Sequence, residues 1–312
     1  MTKVLLTTTS FIDTNGIHHD ELNKHNFVIE KRRGPLSESE IFEGIEEFDA
    51  LICGDDEITR KVIEKGVNGK LKIISKYGTG LDKIDLKAAE EFGVIVRNCP
   101  NVNHKSVAEH VFALLLSFSR NLIKENEEFQ KNKWTRITGS DINGKILGVI
   151  GTGAIGTEVV KRAKAFDLNV IAFDVIENEM LKKEFGVEYY SSVEEVLGRS
   201  DYITLHVPLN KATKCLINDN SINSIKKGAV LINTARGDLV DEQSIIHALD
   251  KGIISGYLAD VLSKEPVIED HLFVGNKKIV VTPHIGSRTS ENVQKQGLMA
   301  VNNLLNELEK YG

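Results

Sequence analysis

The chain has 312 residues, of which 41% are hydrophobic, and this length suits two domains better than one core. The formal net charge is −6 and the longest basic run is the short stretch Glu30–Gly34, which argues against nucleic acid or an anionic membrane as a partner and favours a small soluble ligand. No apolar run approaches the roughly 18 residues of a membrane helix, and the three widely spaced cysteines fit neither a disulfide framework nor a zinc site, so we expect a cytoplasmic protein with reduced thiols and no metal.

Short apolar runs alternate with amphipathic segments along the chain. This pattern is typical of parallel sheets covered by helices on both faces, and the predicted class is α/β. In the first third, a helix is predicted at 85–93, and one small doubly wound domain is predicted from five strands, at 3–9, 26–32, 49–54, 71–78 and 94–98.

A long amphipathic helix is predicted over 105–121, opened by a capping box of Ser106 and Glu109. A last helix is predicted over 290–310, and we expect it to return to the first domain. Between these helices a complete Rossmann sheet is predicted from six strands, at 145–151, 169–174, 201–207, 229–235, 254–260 and 278–284. The predicted domains are a flavodoxin-like substrate domain, residues 1–104 plus 289–312, and a Rossmann NAD-binding domain, residues 105–288.

Three glycines with the spacing G-x-G-x-x-G follow the first strand of the second series and open a helix. Gly151 allows a tight turn, Gly153 lets a pyrophosphate approach the backbone, and Gly156 lets helix and strand pack closely. Asp174 ends the next strand, where a carboxylate can accept hydrogen bonds from ribose hydroxyls and would repel a 2′-phosphate. We therefore predict NAD rather than NADP; the alternative is a glycine turn beside a surface aspartate.

Ionisable residues follow the other strands of the second series. Ligands of open parallel sheets bind beyond the carboxyl ends of the strands, where the sequence places His206, Arg236, Asp260 and His284, with Glu265 in a loop after Asp260. Hydride transfer at a carbinol carbon needs a group that exchanges a proton near neutral pH, a role open to His284 or His206. Glu265 is the expected carboxylate partner of His284, and Arg236 is the expected bidentate ligand of a substrate carboxylate.

Seven motifs identify a resemblance. In order they are YGTGLDKIDL, NCPNVNHKSVAEH, VIGTGAIG, LHVPLN, INTARGDLVDE, ADVLSKEP and VTPHIGS. From about Leu71 to its end, the chain resembles the D-isomer-specific 2-hydroxyacid dehydrogenases, and within them the branch that contains D-3-phosphoglycerate dehydrogenases. The first 70 residues match only in predicted pattern.

The resemblance implies roles for individual residues. His284 would be the acid/base, Glu265 would support it, and Arg236 would hold the carboxylate and oxo group of the substrate. Further substrate contacts would come from Lys76, Gly78, Thr79 and Gly80. Contacts to NAD would come from Gly151, Gly153, Ala154, Ile155, Gly156, Asp174, His206, Pro208, Thr234 and Asp260, with Asp260 near the nicotinamide amide. The helix from Ser106 to Arg120 would contribute to a two-fold dimer.

The predicted function is that of an NAD-dependent oxidoreductase that interconverts a D-2-hydroxy acid and its 2-oxo acid and acts as a homodimer. The candidate substrate is 3-phosphoglycerate or a related small hydroxy acid. The three carboxylates in the stretch Cys53–Glu57 are unfavourable for a phosphate, and Lys76 is either a phosphate ligand or a solvated surface lysine. Because the chain ends at Gly312, we expect no appended regulatory domain. The alternatives are an NAD-sensing binding protein or corepressor on the same scaffold, and a formate or phosphite dehydrogenase.

Overall fold

The computed structural model describes residues 1–267 and 270–309. The described residues divide into two compact units, which are treated separately below. Unit 1 comprises residues 1–103 and 288–309, and unit 2 comprises residues 104–267 and 270–287. Within the described residues, no helix has the length and apolar character needed to cross a membrane.

Unit 1 is built on a five-stranded parallel sheet, and the strands, numbered in chain order, lie across the sheet in the order 2-1-3-4-5. The strands are β1 (Lys3–Leu6), β2 (Val28–Lys31), β3 (Ala50–Cys53), β4 (Ile73–Lys76) and β5 (Ile95–Arg97). This order is that of flavodoxin-like folds. Every residue of β3 and β4 is buried, because helices cover both faces of the sheet and neither face of these strands meets solvent.

Helices of unit 1 connect these strands. They are α1 (Thr9–Asp13), α2 (Ile17–Asn23), α3 (Glu38–Phe42), α4 (Arg60–Gly69) and α5 (Leu86–Glu91), with a single 3₁₀ turn at Ile45–Glu47. Helix α3 begins with a complete capping box, in which the Ser37 side chain accepts from the Glu40 N–H and the Glu40 carboxylate accepts from the Ser37 N–H.

Unit 2 begins with two helices and continues as a seven-stranded parallel sheet. The helices that precede the sheet are α6 (His104–Ser119) and α7 (Leu122–Gln130). The strands are β6 (Ile146–Ile150), β7 (Asn169–Phe173), β8 (Glu188–Tyr189), β9 (Tyr202–Leu205), β10 (Ala229–Asn233), β11 (Ile254–Ala259) and β12 (Ile279–Val281). The connecting helices are α8 (Ala154–Ala165), α9 (Glu179–Phe185), α10 (Val193–Arg199), α11 (Asp219–Ile222) and α12 (Glu242–Asp250), with a 3₁₀ turn at Gly237–Leu239.

The strand order of this sheet is β12-β11-β10-β9-β6-β7-β8. Counted from β6 it is the Rossmann order 3-2-1-4-5-6 with a seventh strand added at one edge. The predicted class is confirmed, but the prediction of six strands is wrong. The third Rossmann strand is β8, whose two residues are too few to show a periodic pattern, and β12 is the additional strand.

The last helix, α13 (Ser290–Leu308), packs within unit 1. Its buried residues Val293, Gly297, Ala300, Val301 and Leu304 recur at the spacing of one helix face. The predicted end at residue 310 lies outside the described residues. The predicted capping box at Ser106 is wrong, because α6 begins at His104 and Ser106 already lies within the helix.

Candidate active site

The carboxyl ends of six strands in unit 2 are level with one another. Pairing registers join Phe173, Ile150, Leu205, Asn233, Ala259 and Val281 into one row. The residues that follow this row are Asp174, Gly151, His206, Thr234, Asp260 and Thr282. Because neighbouring strands are about 4.8 Å apart, the register alone brings these residues to one edge of the sheet. Ligands of parallel sheets bind at this edge.

The imidazole of His284 contacts the carboxylate of Glu265, with Nδ1 2.7 Å from Oε2. The other carboxylate oxygen, Oε1, accepts from the Leu262 N–H at 2.7 Å, which fixes the orientation of the carboxylate. Both side chains are about one-third exposed, at 32% and 28%. An ionised carboxylate only accepts hydrogen bonds, so Nδ1 carries a hydrogen and proton exchange falls to Nε2.

Asp260 lies beneath the turn that carries His284. Its carboxylate accepts from the Thr282 hydroxyl at 2.6 Å and from the N–H groups of Ile285 and Gly286 at 2.9 and 2.7 Å. Burial alone would raise the pKa of Asp260, but hydrogen bonds from His110 and Thr282 hold this pKa below its ordinary value. The carboxylate is therefore occupied by the protein's own donors, and its contact with the nicotinamide amide stays a prediction.

Arg236 lies in the loop after β10 and is half-buried. One of its guanidinium nitrogens donates to the Ala235 carbonyl at 2.7 Å, and its own carbonyl accepts from the Asn233 amide at 2.8 Å. A Cβ added to the next residue, Gly237, would lie 1.9 Å from the carbonyl carbon of Leu262. Only glycine lets the Arg236 loop pack so closely on the loop that carries Glu265.

His206 has different surroundings from His284. Its Nε2 is 2.9 Å from the Thr204 hydroxyl, and its buried Nδ1 has no hydrogen-bond partner within the described residues. Burial lowers the pKa of His206 to about 3, so this ring stays neutral at pH 7. The geometry thus favours His284 over His206 as the group that gives and takes a proton.

The glycine loop joins β6 to α8. Gly151 has a φ of +96°, and a Cβ added to Gly156 would lie 2.1 Å from the Gly151 carbonyl oxygen. In contrast, a Cβ at Gly153 would meet nothing within 4 Å. Gly151 and Gly156 are therefore required by the fold, whereas the absence of a side chain at Gly153 leaves open space beside the backbone.

Asp174 holds the same loop from the end of β7. Its Oδ2 accepts from the Thr152 N–H at 2.6 Å and from the Thr152 hydroxyl at 3.1 Å, and its Oδ1 accepts from the Ile176 N–H at 3.2 Å. Because a carboxylate offers about four lone-pair sites, acceptor capacity remains for a ligand.

These residues fit a dinucleotide. Gly153 and Ala154 are exposed at the N-terminus of α8, where unpaired N–H groups and the helix dipole favour a pyrophosphate, and Ile155 is half-buried in the same turn. Buried polar atoms without a partner in the described residues, His206 Nδ1 and Thr234 Oγ1, lie on neighbouring strand ends. Pro208 is exposed two residues beyond His206.

The predicted substrate residues of unit 1 follow β4. Lys76 is only 3% exposed. Its ammonium lies 2.8 Å from the Asp55 carboxylate, to which it donates, and it also donates to the Gly54 carbonyl. A solvated surface lysine is therefore the wrong interpretation. Gly78 has a φ of +137°, and Thr79 is exposed, with its carbonyl accepting from the Asn98 amide at 2.8 Å. Gly80, like Gly78, is half-buried.

The carboxylates after β3 are not equivalent. Asp56 is fully buried and accepts from the Thr7 hydroxyl and from the N–H groups of Leu36 and Gly54 at 2.5, 2.6 and 2.9 Å. Burial raises the pKa of Asp56 above its ordinary value in spite of these bonds. Asp56 thus fixes the loops of unit 1, and Asp55 offsets the charge of Lys76.

Sequence reasoning missed His110 and Thr282. His110 Nε2 is 2.8 Å from the Thr282 hydroxyl, whose hydrogen goes to Asp260. The signal was the position of His110 in α6, a polar residue beside the apolar stripe that includes Val107 and Val111.

Comparison with known proteins identifies the family. A family model for the NAD binding domain of D-isomer specific 2-hydroxyacid dehydrogenases matches residues 112–286. The chain is 38% identical over 289 residues to a D-3-phosphoglycerate dehydrogenase of Methanocaldococcus jannaschii, covering 91% of this chain and 54% of that protein. It is 34% identical over 307 residues to a glyoxylate reductase of Pyrococcus furiosus, covering 95% of this chain and 90% of that protein.

Among solved structures, D-lactate dehydrogenase from Aquifex aeolicus, in complex with NAD and lactic acid, aligns with a TM-score of 0.86 at 28% identity, covering 99% of this chain and 96% of that one. The chain spans about half the length of the D-3-phosphoglycerate dehydrogenases that it matches and most of the length of the glyoxylate reductase. With a family model matched over more than half of its residues, the chain belongs to the D-isomer specific 2-hydroxyacid dehydrogenase family.

Proposed function

We propose that the protein is an NAD-dependent dehydrogenase that interconverts a D-2-hydroxy acid and its 2-oxo acid. The observation that carries the proposal is the 2.7 Å contact between His284 and Glu265, at the edge of the same sheet that bears the glycine loop. A carboxylate-supported imidazole beside a dinucleotide loop is the arrangement that proton-coupled hydride transfer needs.

The bound nicotinamide supplies the acceptor or donor of hydride. In oxidation, neutral His284 takes the hydroxyl proton at Nε2 while Glu265 stabilises the charge that forms on the ring. In reduction, the protonated ring gives this proton back to the oxo oxygen. Arg236 binds the carboxylate through its planar guanidinium, which polarises the neighbouring oxo group.

A panel of 2-oxo acids tests this function. NADH oxidation is followed by absorbance with 3-phosphohydroxypyruvate, hydroxypyruvate, glyoxylate, pyruvate, and polyhydroxy or sulfonated 2-oxo acids. We expect turnover with at least one member and none with formate or phosphite. His284→Ala should abolish turnover while NADH still binds, and full turnover by this variant would contradict the assignment of the base.

We also propose that the protein is a homodimer. An apolar face is formed by Leu122, Ile123, Phe129 and Trp134, whose exposures are 54%, 46%, 58% and 80%. These residues lie on α7 and just after it, in the segment that follows the predicted dimer helix. A closed two-fold interface buries the same face of both copies, which would remove this apolar surface from water.

Sedimentation of a Phe129→Glu/Trp134→Glu variant tests the dimer. We expect the double variant to be monomeric while the wild type sediments as a dimer. Leu86→Glu is the matched control, since Leu86 is 45% exposed but lies in unit 1. A wild-type monomer, or a dimer that survives the double substitution, would contradict the proposal.

A further inference from the structure

We infer that His110 is a positioning residue for His284, acting through Thr282 and Asp260. The structural part of the inference concerns contacts within unit 2, and its kinetic part rests on the proposed function. His110 lies on helix α6, whereas Asp260 follows β11 and Thr282 follows β12. One helix thereby contacts the edge of the sheet at which the reacting imidazole is held.

The hydrogen atoms in this contact can be assigned. Thr282 Oγ1 is 2.6 Å from Asp260 Oδ1, and a carboxylate only accepts, so the single hydroxyl hydrogen goes to Asp260. The hydroxyl oxygen can then only accept from His110 Nε2 at 2.8 Å. His110 therefore carries a hydrogen on Nε2, which also lies 3.3 Å from Asp260 Oδ1.

The turn held by this network needs support. His284 has a φ of +53°, in the left-handed region that is unfavourable for a residue with a side chain. Its N–H donates to the Asp260 carbonyl at 2.8 Å, and the next two N–H groups donate to the Asp260 carboxylate. These three hydrogen bonds from the turn depend on where the side chain and backbone of Asp260 lie.

The His110 ring also lies beside the turn. A Cβ added to Gly286 would lie 2.9 Å from Asp260 Oδ2 and 3.5 Å from Cδ2 of the His110 ring. The ring is thus packed beside Gly286, and its Nε2 donates to the network below. The ring and its hydrogen bond to Thr282 thus flank the turn on the side of α6.

The neighbouring residue on α6 reaches the helix of the glycine loop. Glu109 accepts from Arg162 on α8 at 3.0 Å, and α8 begins with that loop. Glu109 and His110, consecutive residues of the sixteen-residue helix α6, therefore contact α8 and the residues that hold the His284 turn. We expect α6 to set the height of the imidazole above the sheet edge, where a displacement of about 1 Å costs about a hundredfold in rate.

Two pairs of variants separate hydrogen bonding from packing. His110→Leu and Thr282→Val remove the donor and the hydroxyl with little change in volume. His110→Gln and Thr282→Ser restore a donor and a hydroxyl at similar reach. His247→Leu is the matched control, because His247 is about half-exposed on α12 and belongs to neither the cofactor loop nor the His284 turn.

The first measurement is hydrogen exchange of the Ile285 and Gly286 amides. We expect exchange about tenfold faster in His110→Leu and Thr282→Val than in wild type, and wild-type exchange in the two conservative variants and the control. Unchanged protection in His110→Leu would overturn the inference. This measurement needs no substrate, so it remains decisive if the wild type shows no turnover, a result that would reject only the proposed function.

The second measurement separates kcat from KM and from NADH affinity. We expect His110→Leu and Thr282→Val to lower kcat about ten- to a hundredfold, with KM and the Kd of NADH unchanged, and the conservative variants to restore kcat. If His110→Gln is as impaired as His110→Leu, the Nε2 donor has no role. Equal changes in KM, or loss of NADH binding, would also overturn the inference, since they would indicate general damage to the unit.

Discussion

Replacing Glu265 with glutamine keeps the size of the side chain and removes its charge. In the wild type, one carboxylate oxygen accepts from the Leu262 N–H and the other faces Nδ1 of His284, both at 2.7 Å. An amide has only one oxygen. If the amide oxygen faces the Leu262 N–H, the NH₂ group donates to Nδ1 of His284, and the ring hydrogen must then sit on Nε2. If the amide oxygen faces His284 instead, the NH₂ group lies against the Leu262 N–H, and two donors oppose each other.

In either orientation the neutral amide removes the charged acceptor of the Nδ1 hydrogen, and a hydrogen bond to a charged acceptor is worth about 1.5–3 kcal/mol. This corresponds to a fall in kcat of about 10- to 150-fold. A ring held in the wrong tautomer cannot take the hydroxyl proton at Nε2, and that effect can extend the loss to about 10⁴-fold.

The assay is the steady-state oxidation of whichever D-2-hydroxy acid the panel identifies, with NADH affinity measured by fluorescence titration. We expect kcat to fall and NADH affinity to stay the same. Glu195→Gln is the control, since Glu195 is exposed at the start of α10 and its carboxylate accepts from the N–H and hydroxyl of nearby Ser191. If Glu265→Gln kept wild-type kcat in a folded protein, the role of the carboxylate would be wrong.

Four other substitutions test the glycine loop and the stability of unit 2. Gly153→Ala should leave the melting temperature unchanged, because the added methyl meets no protein atom within 4 Å, but it should weaken NADH binding. Gly156→Ala should lower both the melting temperature and the affinity for NADH, because its methyl clashes with the Gly151 carbonyl. Equal melting temperatures for the two variants would contradict this. Asp174→Ala should weaken NADH binding and reduce discrimination against NADPH, as measured by fluorescence titration; an unchanged ratio of the two Kd values would reject its contact with the ribose. Glu158→Gln should lower the free energy of unfolding at pH 7 by up to about 3 kcal/mol, because a hydrogen bond from Lys161 helps to lower the pKa of Glu158 from 4.5 to about 2. That stabilisation is complete above pH 4.5 and is lost as the pH falls towards 2. In urea unfolding, the difference in unfolding free energy between variant and wild type should therefore shrink over this range. A difference that stays constant would refute the role of the Glu158 charge.

Local patterns were enough to predict most strands because the buried strands of a doubly wound sheet are continuous apolar runs. Strand β10, with the sequence Ala229–Asn233, is an example in which every residue is buried. Prediction failed where a strand is too short for a pattern, as in β8. It also extended the last strand to His284, although β12 ends at Val281 and the next residues turn around Asp260.

The partnership of Glu265 with His284 could be proposed from sequence because both residues follow neighbouring strands of a parallel sheet, whose ends meet at one edge. Their roles stay predictions, although the contact is present. The surroundings of His110 could not be predicted, since α6 precedes the sheet by many residues and only tertiary packing brings its side chain to Thr282. The pairing of Lys76 with Asp55 likewise depends on the register of β3 and β4.

Because α13 belongs to unit 1 but is the last helix of the chain, unit 1 cannot finish folding until unit 2 has been synthesised. The Ser75 hydroxyl of β4 donates to the Ala300 carbonyl at 2.7 Å across 225 residues of chain. Domains fold as units while synthesis proceeds from the N-terminus, so the whole of unit 2 emerges before the helix that covers β4 exists. Helices α1 and α2 cover part of that sheet face early, with Phe11 and Leu22 in the same core cluster as Ala300 of α13. The remaining part must wait for α13, and a nascent-chain intermediate would bind chaperones through it.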